Sequence, residues 1–223
     1  MKLSRLVGLI VMAVLALNLM AVAVASASAP EFSPSTANPF TGESGTGALE
    51  TASTAAVTCT SDTNTGTVLG AKTVGSVVVT FSNCASTENG GCTVNSPHRA
   101  AGTIITNTLA GELGSVKTTE AKSGVGLLLH PAVGTEFVTL EGTCLLLSPA
   151  PVTGSVAGEA TPIKAGQTKD GKLIFIGSKG KQNIKEINIL GSIWKPNLKA
   201  LGLLESSETT NELVLYTNAV EVT

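Results

Sequence analysis

From Leu49 to the end of the chain, short runs of apolar residues alternate with polar ones, and glycines separate the runs. Alternate residues of a β-strand point to the same face of its sheet, so a pattern of period two predicts strands. The predicted strands lie near residues 54–60, 66–69, 74–82, 101–109, 112–117, 124–130, 135–147, 151–158, 171–177, 184–194 and 212–222. Strands of this number and spacing indicate an all-β fold, either a single β-sandwich or an irregular β-barrel.

Two of these segments, residues 77–79 and 127–129, are apolar without interruption. An uninterrupted apolar run is typical of a strand that is covered on both faces, as in a sandwich or in the wall of a filled barrel. We therefore expect both segments to lie between two layers of the fold.

One segment favours a helix instead of a strand. Pro196 suits a first helical turn, and Leu198, Leu201 and Leu204 would share one helical face. We expect at most one short helix, near residues 196–204.

The first residues have the three parts of a secretion signal. Lys2 and Arg5 supply the positive charge, residues 6–25 are almost wholly apolar, and Ala25-Ser26-Ala27 supplies a site of small residues for cleavage. The alternative is an uncleaved membrane anchor, since the apolar run is nearly long enough to span a bilayer. We expect a signal peptide over residues 1–27, and no later segment is long and apolar enough to span a membrane.

The next residues differ in composition from the rest. Residues 28–47 are rich in Ser, Pro, Thr and Gly, which is typical of an unstructured leader. We expect this leader to precede a single β-rich domain over residues 48–223.

Composition narrows the class of partner. Charged residues are 13% of the chain, about half the usual share, and aromatic residues are only 3%, so the core must be aliphatic. Without Lys2 and Arg5, 12 basic residues (14 minus 2) remain against 16 acidic ones, a net charge of −4. This charge argues against a nucleic-acid partner.

The four cysteines, Cys59, Cys84, Cys92 and Cys144, predict two disulfides, because exported proteins reach an oxidising compartment. Zinc motifs usually place paired ligands two to four residues apart, whereas seven residues separate Cys84 from Cys92. We expect no metal and no cofactor.

Three disulfide connectivities are possible, and the sequence alone cannot choose among them. Cys59 and Cys144 fall on the apolar faces of predicted strands, whereas Cys84 and Cys92 flank a polar segment. This parity favours a nested arrangement, in which Cys59–Cys144 lies in the core and Cys84–Cys92 closes a surface loop.

Several segments together resemble a known group of proteins. They are CTSDTNTGTVLGAKTVGSVVVTFSNC (59–84), AGTIITNTLAGELG (101–114), VGLLLHPAVGTEFVTLEGTC (125–144), VTGSVAGEATPIK (152–164) and SKGKQNIKEI (178–187). Their glycine and cysteine framework is similar to that of a widespread group of secreted, cysteine-containing proteins of high-GC Gram-positive bacteria, which has no assigned function. The resemblance implies secretion and one β-rich unit, and it transfers no catalytic or binding residue.

The sequence contains no catalytic constellation. A Ser-His-Asp triad needs a histidine close to an oriented acid and an activated serine. The histidines are His98 and His130, the only aspartates are Asp62 and Asp170 in polar, turn-like segments, and no Gly-x-Ser-x-Gly elbow is present. We therefore predict no catalytic residue.

Four residues are candidates for ligand contact. His98 and Arg99 lie in a polar loop after Cys92, and Trp194 and Tyr216 are the aromatic residues that could present a ring together with a polar group. Solvated turns and edge caps of the sheet are the alternative interpretation of these residues.

The sequence favours a secreted or cell-surface protein with a structural or binding role and without enzymatic activity. Its partner would be an extracellular or cell-wall ligand, whose identity the sequence does not specify. The alternative is a secreted hydrolase whose site assembles from residues distant in sequence.

Overall fold

A computed structural model describes residues 29–53, 56–118, 123–145, 148–200 and 204–223. Almost every element is a strand, and a short 3₁₀ turn spans Glu88–Gly90. The strands are β1 (Phe32–Ser33), β2 (Asn38–Ser44), β3 (Gly47–Thr51), β4 (Ala56–Cys59), β5 (Ser61–Val68), β6 (Thr73–Ser82), β7 (Ala85–Ser86), β8 (Cys92–Thr93), β9 (Ile104–Ile105), β10 (Leu109–Thr118), β11 (Ser123–Pro131), β12 (Glu136–Leu140), β13 (Ala150–Thr153), β14 (Val156–Thr161), β15 (Thr168–Phe175), β16 (Gly177–Ser178), β17 (Lys181–Gln182), β18 (Ile184–Ile189), β19 (Ser192–Trp194), β20 (Lys199–Ala200) and β21 (Leu204–Val222). The all-β prediction is confirmed.

Eight long strands close into a barrel. Each pairs antiparallel with the next in the order β2, β5, β6, β10, β11, β14, β15 and β21, and β21 pairs back onto β2. The chain visits these strands in the same order, so the barrel runs up and down. An eight-stranded barrel has an interior just wide enough for side chains or for one small ligand.

The two ends of the barrel differ. At one end, short connections join β5 to β6 (residues 69–72) and β14 to β15 (residues 162–167), and Phe32 of β1 is buried there beside Val222. At the other end the connections are long and carry further strands. We call the group formed by β3, β4, β7, β8, β12, β13 and β20 the cap.

One apolar core extends through both the barrel and the cap. Inward-facing residues of the barrel strands, such as Leu109, Leu113 and Val68, are fully buried and belong to the same cluster as Val94 and Leu140 of the cap region. The alternation of buried and exposed residues along β2 and β5 follows the period of two expected of a barrel wall. The cap is therefore packed onto the barrel as part of one unit.

A second, smaller cluster covers the outside of the barrel. Leu128 of β11 and Ala157 of β14 face outward and pack with Ile184, Ile187 and Ile189 of β18. All three leucines at 127–129 are consequently buried, which confirms the expected coverage on both faces. Within 77–79, Val77 is buried but the other two valines are only half-buried, so that prediction holds in part.

The predicted leader is wrong for residues 29–47. Instead of an unstructured segment, this stretch contains β1 and β2, and β2 closes the barrel between β5 and β21. Asn38, Phe40 and Gly42 face inward and alternate with exposed residues. Composition misled here because β2 accommodates both residue types: Pro39 is exposed and lies outside the pairing of β2 with β21, and Gly42 faces inward and makes room for Asn64.

The predicted helix near 196–204 is also wrong in the residues that the structure describes. Lys199–Ala200 forms β20, and β21 begins at Leu204. Leu198 and Ala200 are both buried in the core, which is the spacing of a strand face and not of a helix face.

Both disulfides form, but the nested pairing is wrong. The bonds are Cys59–Cys84 and Cys92–Cys144. Cys59 ends β4, and β4 pairs with β7, which begins directly after Cys84, so the two Cα atoms lie 4.0 Å apart.

The second bond has a comparable cause. The predicted strand 135–147 ends as β12 at Leu140, and Cys144 lies in the turn that follows. The backbone pairing of Asn95 with Glu141 brings that turn to Cys92.

The predicted signal peptide, residues 1–27, lies outside the described residues. Across the part of the chain that is described, there is no helix with the length and apolar character required to cross a membrane.

Candidate functional site

The barrel encloses an apolar cavity of about 150 Å³ that continues into the cap. Valine, leucine and phenylalanine side chains of the barrel form most of its wall, and Leu49, Val57, Phe137 and Leu198 extend it on the cap side. The charged residues in its lining are Glu212 and Lys172. Lys172 is exposed between two buried neighbours on β15, so its side chain points outward, and of these two residues only Glu212 points into the cavity.

Glu212 is held in place by an amide from across the barrel wall. Asn64 Nδ2 donates a hydrogen bond to Glu212 Oε2 at 2.8 Å, and both residues line the cavity. Asn64 lies on β5 and Glu212 on β21, with β2 between them. The amide can reach because Gly42 of β2 has no side chain, and a Cβ at Gly42 would lie 2.5 Å from Asn64 Nδ2.

Two further glycines make room for aromatic rings. The ring of Phe40 occupies the space beside Gly66, where an added Cβ would lie 2.9 Å from two of its ring carbons. The ring of Tyr216 lies against Gly171 in the same way, and an added Cβ at Gly171 would lie 3.1 Å from a ring carbon of Tyr216. Phe40 and Tyr216 meet edge to face with centroids 6.1 Å apart, and both line the cavity.

The phenol side chain of Tyr216 lines the cavity inside the barrel. Burial disfavours its charged form and raises the pKa of Tyr216 to about 12, from an ordinary 10.0. The hydroxyl group therefore stays protonated throughout the physiological range.

Asp62 lies inside the barrel at the level of Glu212, but it is not among the residues that line the cavity. It lies on an inward position of β5, opposite Ser44 of β2, and only 2% of it is exposed. The Ser44 hydroxyl donates to Asp62 Oδ2, and Thr210 donates to the Ser44 hydroxyl oxygen at 3.0 Å. Asp62 Oδ1 has no hydrogen-bond partner within the described part of the chain.

Desolvation by burial raises the pKa of Asp62 above its ordinary value. Hydrogen bonding to Ser44, Glu212 and Asn64 acts in the opposite direction but is the smaller effect. A buried carboxyl group in contact with a second one disfavours its own charged form, so Asp62 holds its proton more tightly than an exposed carboxyl group would.

The four residues predicted to contact a ligand are not brought together. Tyr216 lines the cavity, whereas His98 and Arg99 are exposed in a turn of the cap end and Trp194 is 54% exposed on β19. His130 lies on β11 with Nδ1 at 2.9 Å from the Pro131 carbonyl oxygen. Among the described residues, neither histidine is hydrogen-bonded to a carboxylate or a hydroxyl group, as a triad would require.

The sequence pattern did not identify Asp62, Asn64 and Glu212 as interior residues. The first two share one face of a strand with Gly66, and a polar face would ordinarily be assigned to solvent. The glycines were the usable signal of an interior site. Gly42 and Gly66 occupy inward positions of the paired strands β2 and β5, where they leave room for other side chains. The described residues contain no group of three or more histidine, cysteine or acidic side chains that could hold a metal ion.

No protein-family model, curated protein or solved structure matches this chain. The resemblance to secreted proteins of high-GC Gram-positive bacteria stays a prediction.

Proposed function

We propose that this chain is a non-enzymatic binding protein that holds one small, mostly apolar molecule inside its barrel and works outside the cytoplasm. The observation that supports the binding role is the cavity of about 150 Å³ within the barrel and the cap. An apolar cavity of this size in another protein stays dry and binds benzene. Well-packed interiors rarely leave such a space, so the space itself indicates an occupant.

The shape of the wall agrees with this role. The lining is almost entirely aliphatic and aromatic. Its few polar groups include Asn64 on β5 and Glu212 and Tyr216 on β21, the two strands that pair with β2. Small-molecule sites commonly combine a largely apolar wall with a few placed polar groups that orient the ligand. Two disulfides support a location in an oxidising compartment.

The test is a titration of the purified protein with toluene, in which the melting temperature and NMR chemical shifts are measured at each concentration. We expect saturable binding and a rise in melting temperature with toluene concentration, because a ligand that binds only the folded state stabilises it. A titration with no saturable response would overturn the proposal.

A blocking variant locates the site. Ala160 lines the cavity, and Ala160→Phe places a ring in the space that the ligand would occupy. The matched control is Ala165→Phe, since Ala165 is exposed in the turn after β14. We expect Ala160→Phe to weaken toluene binding by about tenfold or more and Ala165→Phe to leave it unchanged; equal binding by both variants would place the site elsewhere.

A further inference from the structure

The chain leaves the barrel between β15 and β21, and its exposed apolar side chains are concentrated there. We call residues 176–195, which contain β16 to β19, the lysine-rich segment. Among the described residues, the exposed large apolar side chains are Leu69, Val133, Ile176, Leu190, Ile193, Trp194 and Leu215. Four of these seven lie in the lysine-rich segment. Exposed apolar surface that is gathered in one place, and not scattered, is typical of an interaction site.

Leu190 occupies the tip of the β18–β19 hairpin. Ile189 pairs with Ser192, so Leu190 and Gly191 form the two-residue turn, and both have positive φ, 51° and 88°. Such a turn favours asparagine, aspartate or glycine, because a larger side chain is unfavourable in the left-handed region. Leu190 is 71% exposed and gains little from burial. The folding of the hairpin therefore does not account for a leucine at its tip.

The outer strand of the same hairpin carries two more exposed apolar residues. In β19, Ile193 is 64% exposed and Trp194 is 54% exposed. Ile193 lies opposite Asn188 of β18, on the face that points away from the buried Ile187. The hairpin thus presents three large apolar side chains to solvent within five residues. Tryptophan is the side chain most typical of a membrane–water interface, where its ring is apolar and its N–H remains hydrated.

Positive charge is concentrated in the same segment. It contains one acidic residue, Glu186, and four exposed lysines, Lys179, Lys181, Lys185 and Lys195. Its net charge is +3, whereas the rest of the chain has 10 basic residues (14 minus 4) against 15 acidic ones (16 minus 1), a net charge of −5. Glu186 lies opposite Lys117 of β10 and 4.0 Å from Lys195 Nζ, so even the one carboxylate at the base of the hairpin has a lysine on each side.

We propose that the β18–β19 hairpin docks on the surface of an anionic phospholipid bilayer, with Leu190, Ile193 and Trp194 in the interfacial region and the lysines of the segment against the headgroups. Segments that lie on membranes combine exposed apolar side chains with excess positive charge in this way. A soluble polyanion would engage the lysines and leave the apolar side chains in water. A second copy of the chain would bring two segments of charge +3 together, which is unfavourable. The proposal does not depend on ligand binding inside the barrel.

The test uses Trp194, which is the only tryptophan of the chain, so that its fluorescence reports on the hairpin alone. The full chain with intact disulfides is titrated with phosphatidylglycerol vesicles and, separately, with phosphatidylcholine vesicles. We expect the emission to shift to shorter wavelength and to be quenched by lipids with a spin label in the upper acyl chain. Binding to phosphatidylglycerol should be about tenfold or more tighter and should weaken with salt. Because residues 6–25 are also apolar, cosedimentation alone would not identify the hairpin.

The variant Leu190→Asn separates docking from folding. Asparagine suits the turn better than leucine, so the melting temperature should stay the same or rise, while vesicle binding weakens about fivefold or more. Val133→Asn is the matched control, because Val133 is 89% exposed in the turn after β11, outside the lysine-rich segment. We expect Val133→Asn to leave vesicle binding unchanged.

A second pair of variants tests the charges. Lys181→Gln combined with Lys195→Gln should weaken binding to phosphatidylglycerol vesicles about tenfold, because each lysine at an anionic surface contributes severalfold to the affinity. The control combines Lys169→Gln with Lys172→Gln, since both lysines are exposed on β15. It should bind as the wild type does.

Each contrary result overturns the proposal. It is wrong if Trp194 emission does not shift with phosphatidylglycerol vesicles, or if Leu190→Asn binds them as tightly as the wild type. Binding of soluble polyphosphate, without a shift of the emission on vesicles, would identify a polyanion as the partner. A shift that appears in the absence of lipid when the protein concentration is raised would identify a second copy of the chain. Toluene binding in the barrel is measured separately, so failure of either proposal leaves the other standing.

Discussion

The side chains of Asn64 and Glu212, 148 positions apart in the chain, meet inside the barrel with Asn64 Nδ2 2.8 Å from Glu212 Oε2. Their strands are not neighbours, because β2 lies between them. The contact passes over Gly42, the residue of β2 that faces inward at that level. A polar contact in the core thus depends on an empty position in the strand between its two partners.

Gly66, like Gly42, leaves room for a neighbouring side chain, so adding a methyl group there should destabilise the protein. A Cβ there would overlap the ring of Phe40, which is itself packed against Tyr216, so Gly66→Ala should lower the free energy of unfolding by roughly 1–3 kcal/mol. Urea unfolding measures the change. Gly45→Ala is the matched control, because an added Cβ at Gly45 meets no atom within 4 Å; a similar loss in both variants would contradict the packing described for Phe40.

Asp62→Asn should stabilise the protein at neutral pH. Burial raises the pKa of Asp62 in the folded state above 3.8, so as the pH rises the unfolded chain releases this proton first. From about pH 4 upward the residue therefore lowers the free energy of unfolding, and the loss is complete above the folded-state pKa.

The neutral side chain of the variant avoids that loss. The groups that face Asp62 are Ser44 on β2, Asn64 on β5 and Glu212 on β21, and an asparagine can still accept from Ser44. Thermal melts should show a gain at pH 7 that shrinks toward pH 3. The exposed control Asp170→Asn should show no such gain, and a loss of stability at pH 7 in Asp62→Asn would show that the ionised carboxylate is needed.

The single tyrosine of the chain makes its ionisation directly measurable. Ultraviolet absorbance of the folded protein should report a pKa for Tyr216 of about 12, and the unfolded protein in denaturant should titrate near 10. Between these two values the unfolded chain loses the proton first, so the free energy of unfolding should fall with rising pH by roughly 2–3 kcal/mol in all. Titration of the folded protein near pH 10 would place the ring in water.

Peptide mapping without reduction should link Cys59 to Cys84 and Cys92 to Cys144. The bonds close segments with sequence separations of 25 and 52, for which chain entropy estimates stabilisation of about 3.5 and about 4 kcal/mol. Replacing either pair by alanine should therefore lower the melting temperature by comparable amounts. A peptide that joins Cys59 to Cys144 would contradict the arrangement of β4, β7 and β8.

The sequence by itself determined the local conformation of most of the chain. Alternation of apolar and polar residues, with glycines between the runs, was sufficient to predict strands along β6, β11 and β21, because the period of a strand is a property of neighbouring residues. The uninterrupted run at 127–129 was also sufficient to predict a strand covered on both faces. The number of cysteines was sufficient to predict two disulfides.

Only the tertiary structure decided which strands meet. The connectivity of the disulfides follows from the pairing of β4 with β7, and parity along one strand contains no information about its partner. Residues 29–47 look like a linker in composition, yet they supply the strand that closes the barrel. Asp62, Asn64 and Glu212 look solvent-exposed for a similar reason, because each is polar in its own segment. Their burial depends on β2, β5 and β21, which come together only when the barrel closes.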